Sequence, residues 1–222
     1  MGKSVTLKAS DGHSFSAYRA DPAGKPRGGI VVIQEIFGVN KHIREVADGY
    51  AADGYLAIAP ALFDRVQRGV DIGYTPEDIQ TGSGLKSKVG IDMALLDVAP
   101  AIKAASEAGK VGIVGYCWGG YVAWMAAARA SGLACSVPYY GGGVTDNINE
   151  QPKCPAMLHF GDKDQHIALA GVEKLKAEHP TQIVHIYAAD HGFNCDHRGS
   201  YNAAAAKLAR ERTLEFFRKH VG

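Results

Sequence analysis

Gly112-Ile113-Val114-Gly115-Tyr116-Cys117-Trp118-Gly119-Gly120 joins an apolar run directly to a stretch of helix formers and puts a thiol at the join. Val111 to Val114 is apolar and largely β-branched, as a buried strand should be, whereas Tyr121 to Ala130 is alanine-rich and helix-prone. Gly115 and Gly119 flank Cys117. The Gly-x-Cys-x-Gly spacing is that of a nucleophile elbow with sulfur in place of the usual serine oxygen, where small neighbours permit a tight, strained turn. The start of the following helix also favours an anion, and a thiolate is one. A buried cysteine in a turn that is glycine-rich for packing satisfies the same pattern, since free cysteines are among the most buried residues. Residues elsewhere in the chain have to decide between the two.

Working outward, strands and helices alternate. Upstream, Gly29 to Gln34 is an almost unbroken apolar run, the pattern of a strand covered on both faces, and it ends at Gln34-Glu35-Ile36-Phe37-Gly38. A helix is expected over His42 to Asp53, closed by Gly54, and a strand over Tyr55 to Ala59, ended by Pro60. Residues 61–84 carry Gly69, Gly73, Pro76, Gly82 and Gly84, and read as a long excursion with at most a short helix near Glu77. Lys86 to Ala108 shows helical spacing of Val89, Met93, Leu96 and Ile102, with a kink expected at Pro100. Downstream, strands are expected over Leu133 to Pro138, Ala156 to Phe160 and Gln182 to Tyr187, with a helix through Leu175 between the last two. Tyr201 to His220 reads as a closing amphipathic helix with Leu208, Leu214 and Phe217 on one side. The chain opens with two alternating runs, Ser4 to Leu7 and Ser14 to Arg19, about Asp11-Gly12, which predicts a hairpin at a sheet edge. The alternation predicts an α/β fold: a mostly parallel sheet with helices on both faces and right-handed crossovers, in a single domain over residues 1–222.

Composition narrows the function. Lysine plus arginine number 24 against 23 aspartates plus glutamates, so no basic field points to nucleic acid and a small molecule is the expected partner. The start lacks an apolar core of signal-peptide length and no later run is long enough to span a bilayer, so a cytoplasmic protein without membrane association is expected. Cys117, Cys135, Cys154 and Cys195 form no Cys-x-x-Cys pair and are too sparse for a disulfide framework, which suits a reducing compartment. A monomer or small homo-oligomer is expected.

In such sheets reactive groups gather at the carboxyl ends of strands. Glu35, Cys117, Asp164 and His191 all follow predicted strands, and the last three run in the order nucleophile, acid, histidine. A cysteine attacks as thiolate, a histidine exchanges its proton, and a carboxylate fixes the imidazole tautomer and favours its charged form. Asp164 is the expected acid, with Asp162 as its competitor and an ordinary turn acid as the plain alternative for either. His191, Cys195 and His197 lack a fourth metal ligand at a recognised spacing, so neither a metal nor a cofactor is expected. A lone acid after an apolar strand, such as Glu35, is on its own residues more often a loop-end charge or a salt-bridge partner than a catalytic group.

Four segments together, Gln34 to Asn40, Gly115 to Gly120, Gly161 to Asp164 and His191 to Phe193, resemble the dienelactone hydrolase family, the carboxymethylenebutenolidases. The likeness extends to Asp11-Gly12 near the start and Glu211 to Phe216 near the end. It implies an eight-stranded α/β-hydrolase fold with Cys117, Asp164 and His191 as the triad and Glu35 beside the thiol, helping to deprotonate it when substrate arrives. It also implies an oxyanion hole from the backbone N–H groups of Ile36 and Trp118. The implied substrates are enol lactones from aromatic-ring degradation. Substrate binding departs from the family pattern: the arginine expected four residues after the histidine is Cys195 here, and the other arginine position falls near Ile79. Arg65, Arg68 and Arg198 are the candidate replacements, since a guanidinium fork suits a carboxylate. Phe37, Tyr74, Tyr139 and Tyr140 are candidate pocket residues. The expected function is hydrolysis of a small ester or lactone; the alternatives are a neutral ester or thioester substrate, or a silent hydrolase-fold binding module.

Overall fold

In the computed structural model, which describes residues 2–222, the apolar runs become the central strands of one eight-stranded sheet. In chain order the strands are β1 (Lys3–Lys8), β2 (Ser14–Ala20), β3 (Gly29–Ile33), β4 (Leu56–Pro60), β5 (Val111–Tyr116), β6 (Leu133–Tyr139), β7 (Met157–Gly161) and β8 (Ile183–Tyr187). Their spatial order is β1-β2-β4-β3-β5-β6-β7-β8. The first two strands form the edge hairpin and β2 meets β4 antiparallel; every later pairing is parallel. All residues of β3, β4, β5 and β7 are buried, which is why these strands read as continuous apolar runs rather than alternating ones.

Five helices connect and cover the sheet: α1 (Lys41–Ala52), α2 (Pro76–Ala105), α3 (Trp118–Arg129), α4 (Leu169–Glu178) and α5 (Ala203–His220). Successive residues of β3 face opposite sides. Ile30 and Val32 pack with Ile43, Ala47 and Tyr50 of α1 and Phe217 of α5. Val31 and Ile33 pack with Leu85, Val89 and Val98 of α2 and Val122 and Ala126 of α3. Strand order and layers are those of an α/β-hydrolase fold.

Three expectations need correction. The excursion is shorter than residues 61–84: a 3-10 turn at Leu62–Arg65 and a loop lead to a helix that starts at Pro76 and contains Gly82 and Gly84. Thr75 starts it with a capping box, its hydroxyl accepting from the Asp78 N–H while the Asp78 carboxylate accepts from the Thr75 N–H. The break in this helix is at Gly90 (φ 64°, ψ 175°) rather than at Pro100. Pro100 leaves only the carbonyl of Leu96 without its helical donor, and Leu96 lies on the solvent side. Third, α5 begins at Ala203 and buries Ala205, Ala209, Thr213, Phe216 and Phe217; Leu208 points to solvent at 41% exposure, as Met93 does on α2 at 49%.

Candidate active site

The turn between β5 and α3 holds Cys117 at φ 55°, ψ −118°, a left-handed conformation that a non-glycine residue adopts only under constraint. The constraint is visible in the sequence: a side chain at Gly115 would collide with the carbonyl of Gly119, so the strand and the helix can approach closely only with glycine there. Trp118 is the first residue of α3, where backbone N–H groups have no helical acceptor and remain free for a ligand.

Two further strand ends complete the line. Asp164 lies three residues beyond β7 and His191 four beyond β8. His191 Nε2 is 3.1 Å from Cys117 Sγ, and His191 Nδ1 is 2.7 Å from Asp164 Oδ2. The other oxygen of Asp164 accepts from the His166 N–H at 2.7 Å, which fixes the carboxylate plane. Burial works against a charged His191, but the Cys117 sulfur and the Asp164 carboxylate outweigh it and hold the imidazole up at about 10. Asp164 is lowered despite its own burial, because it accepts from His191. Asp162, the competing acid, is exposed and bonds only through its backbone N–H, to Tyr187 O.

Glu35 follows β3 and is wholly buried. Its Oε1 accepts from Arg198 Nη1 at 3.1 Å, while Oε2 has no partner among the described residues. The sulfur of Cys117 faces His191, and no hydrogen bond joins it to Glu35 among the described residues. Arg198 also lies over the rings of Phe37 and Tyr74, at 5.7 and 5.8 Å from their centroids.

A cavity of about 720 Å³ opens onto the sulfur, lined by Cys117, His191, Ile36, Trp118, Phe37 and Arg198. Of the arginine candidates only Arg198 reaches it. Arg65 instead grips Asp97 with two bonds of 2.8 Å and Asp11 with one of 2.7 Å, and Arg68 is exposed and donates to the carbonyl of Ser14. Tyr139 is also misplaced: it is fully buried with its hydroxyl 2.6 Å from Thr213 Oγ1. Tyr74 stands behind Phe37, edge-on at 4.5 Å, with its hydroxyl bonded to Asn40 and Cys195. Tyr140 is buried below the site, its ring 5.2 Å from that of His191.

Sequence reading missed the wall contributed by α2, where Ile79, Ser83, Lys86 and Ser87 line the cavity, together with Tyr121 and His166. Positions 79, 83, 86 and 87 share one helical face, a signal cut in two because the glycines up to residue 84 read as an excursion and helical spacing is expected only from Lys86. Ile79, near which the family pattern places an arginine, does face the cavity but brings an apolar side chain; the cation of α2 there is Lys86.

Residues 15–221 match the model of the Dienelactone hydrolase family. The carboxymethylenebutenolidase of Pseudomonas putida is 36% identical over 230 residues, covering 97% of this chain and 96% of that protein. A Klebsiella pneumoniae protein assigned as a dienelactone hydrolase has a crystal structure that superposes with a TM-score of 0.87 at 30% identity, over 98% of both chains. A promiscuous, dienelactone hydrolase-like phosphotriesterase from metagenomic libraries shares the fold, with a TM-score of 0.81 at 19% identity. With the match spanning nearly its whole length, this chain belongs to the dienelactone hydrolase family.

Proposed function

We propose that the protein hydrolyses a small, carboxylate-bearing ester or lactone through a cysteine nucleophile and a thioester intermediate. The observation that carries this is the unbroken line from Asp164 Oδ2 through His191 to Cys117 Sγ, at 2.7 and 3.1 Å, opening on the cavity. Cys117 Sγ attacks the substrate carbonyl carbon, and the backbone N–H groups of Ile36 and Trp118 hold the oxygen that becomes negative. As the tetrahedral adduct collapses, the ester C–O bond breaks and His191 gives its proton to the departing oxygen. Water, deprotonated by His191, then attacks the thioester and releases the thiolate and the acid. Asp164 holds Nδ1–H and stabilises the imidazolium.

Arg198 is the residue assigned to the substrate carboxylate. It lines the cavity and already holds one carboxylate, Glu35. A substrate carboxylate competes for the same guanidinium and so loosens Glu35, which takes the proton of the resting thiol; the thiolate then pairs with the His191 imidazolium, and Glu35 returns the proton once the acid product has left. A second reading, hydrolysis of a neutral ester, draws on the charge of Arg198 being already balanced by Glu35 and on the apolar Ile79 in the opposite wall.

Turnover of a carboxylate-bearing enol lactone and of p-nitrophenyl acetate, measured for wild type, Cys117→Ala and Arg198→Ala, separates these outcomes. Cys117→Ala should abolish both activities, and unchanged turnover would end the mechanism. Arg198→Ala should raise KM for the lactone far more than for the neutral ester; equal effects on both would favour the neutral-ester reading.

A further inference from the structure

Glu35, His42 and Cys195 come from three distant segments, yet a carboxylate oxygen, an imidazole nitrogen and the thiol sulfur lie within 4.8 Å of one another, all in buried residues. Two atoms of these residues are orphans among the described residues: Glu35 Oε2 and His42 Nε2 are buried without a hydrogen-bond partner. A buried acceptor left unpaired costs roughly 1–3 kcal/mol, so two beside one thiol call for a common partner.

Each of the three side chains has an outer contact, and for Glu35 and His42 that contact leaves the second polar atom unengaged among the described residues. Arg198 takes Oε1 of Glu35 at 3.1 Å and leaves Oε2. Asp196 Oδ1 sits 3.5 Å from His42 Nδ1, a charge contact on that side of the ring, and Nε2 is left without a hydrogen-bond partner among the described residues. Tyr74 OH lies 3.3 Å from Cys195 Sγ. A carboxylate behind the second ring nitrogen is the arrangement that orients metal-binding histidines.

We propose that Glu35, His42 and Cys195 form a three-ligand site for a borderline-soft divalent metal ion, with zinc the best fit. Sulfur, imidazole and carboxylate together suit zinc, and magnesium and calcium prefer oxygen alone. Zinc bonds of about 2.0–2.3 Å set the ligand atoms roughly 3.3–3.6 Å apart in a tetrahedron, so the three close by at most about 1.5 Å. On binding, the thiol proton passes to solvent and the ion completes its shell with water. Cys195 supplies this sulfur at the position where the family pattern has an arginine. Sequence spacing gave no sign of the site because the ligands are separated by loops and helices rather than by a short motif. The ion takes up Glu35 Oε2, so the loaded protein is the less active form; that consequence rests on the proposed role of Glu35, whereas binding itself does not.

The test is titration of the full chain with zinc chloride by calorimetry and with cobalt chloride by its thiolate-to-metal absorption band. Two rival sites have to be separated: the Cys117–His191 pair, and the outer group of His42, Asp196 and His197. One ion per chain with a thiolate band is expected in wild type, Cys117→Ala and His197→Ala. His42→Gln and Cys195→Ser should each weaken binding by more than about tenfold, and Cys195→Ser should lose the band. Thermal melts establish that both variants are folded, and the conservative serine keeps the side chain's size. The proposal is overturned if wild type binds no zinc at millimolar concentration, if Cys117→Ala loses the band, or if His197→Ala loses binding while Cys195→Ser keeps it.

Discussion

Cys117 keeps its left-handed backbone because three hydrogen bonds determine it: its N–H donates to Tyr139 O at 3.1 Å, and its carbonyl accepts from Gly120 and Tyr121 at 2.9 and 3.3 Å. The same turn sets the sulfur against His191, whose charge is favoured by Asp164 and Cys117 and disfavoured by burial; His166 and Tyr140 are its other ring neighbours. An imidazole raised from 6.5 to about 10 on folding binds its proton more tightly in the native state. Its stabilisation is therefore full below about pH 6.5 and is lost as pH climbs through about 10. His191→Gln removes it. The Tm gap between wild type and this variant should be widest near pH 6 and should shrink steadily towards pH 10; a gap that widens with pH would show that the imidazole is neutral in the folded protein.

At the scale of elements, α2 supplies one wall of the cavity and does so bent. Gly90 sits at φ 64°, ψ 175°, a region essentially reserved for glycine, and nothing lies within 4 Å of where a Cβ would stand. Replacement by alanine meets no clash, so its cost is backbone strain alone, about 1–3 kcal/mol. Relief of that strain by straightening would swing Ile79, Ser83 and Lys86 relative to the half of α2 packed on the sheet. Gly90→Ala should therefore lower Tm by several degrees and raise KM with a smaller change in kcat, whereas unchanged KM would show that the wall does not contact substrate. This helix was also the least legible element in the sequence. Its glycines at 82, 84 and 90 each cost a helix about 1 kcal/mol and so imitate a loop, and burial of Leu85, Val89 and Ala94 against the sheet overrides that propensity. The strands carrying Glu35, Cys117, Asp164 and His191 were legible for the opposite reason: each apolar run stops within a few residues of the polar group it presents.

For the molecule as a whole, the arginines show what a sequence withholds. Arg198 and Arg65 are alike as residues, but one meets a buried carboxylate at the cavity and the other a buried carboxylate 32 positions along the chain. Nothing local to Arg65 announces Asp97, because the pairing exists only once α2 has crossed the 3-10 turn. That pairing fastens three parts together: Arg65 on the turn, Asp97 on α2, and Asp11 in the β1–β2 connection. Asp97 is fully buried and the Arg65 side chain is 8% exposed, with two parallel bonds of 2.8 Å between them. Such a fork is geometrically strong, but both charges have given up water for it, so breaking it costs more than forming it gained. Asp97→Asn leaves the guanidinium with Asp11 as its one remaining carboxylate and a neutral amide in place of the other, and should destabilise the fold by about 1–3 kcal/mol, a drop in Tm of roughly 5 °C. The double variant Arg65→Met, Asp97→Leu removes both charges together and should recover most of that loss. Neither residue lines the cavity, so kcat/KM per folded molecule should stay at the wild-type value in both variants. Denaturant titrations and active-site-normalised kinetics read the two quantities separately, and a fall in kcat/KM at full folding would place this ion pair within the reaction rather than beneath it.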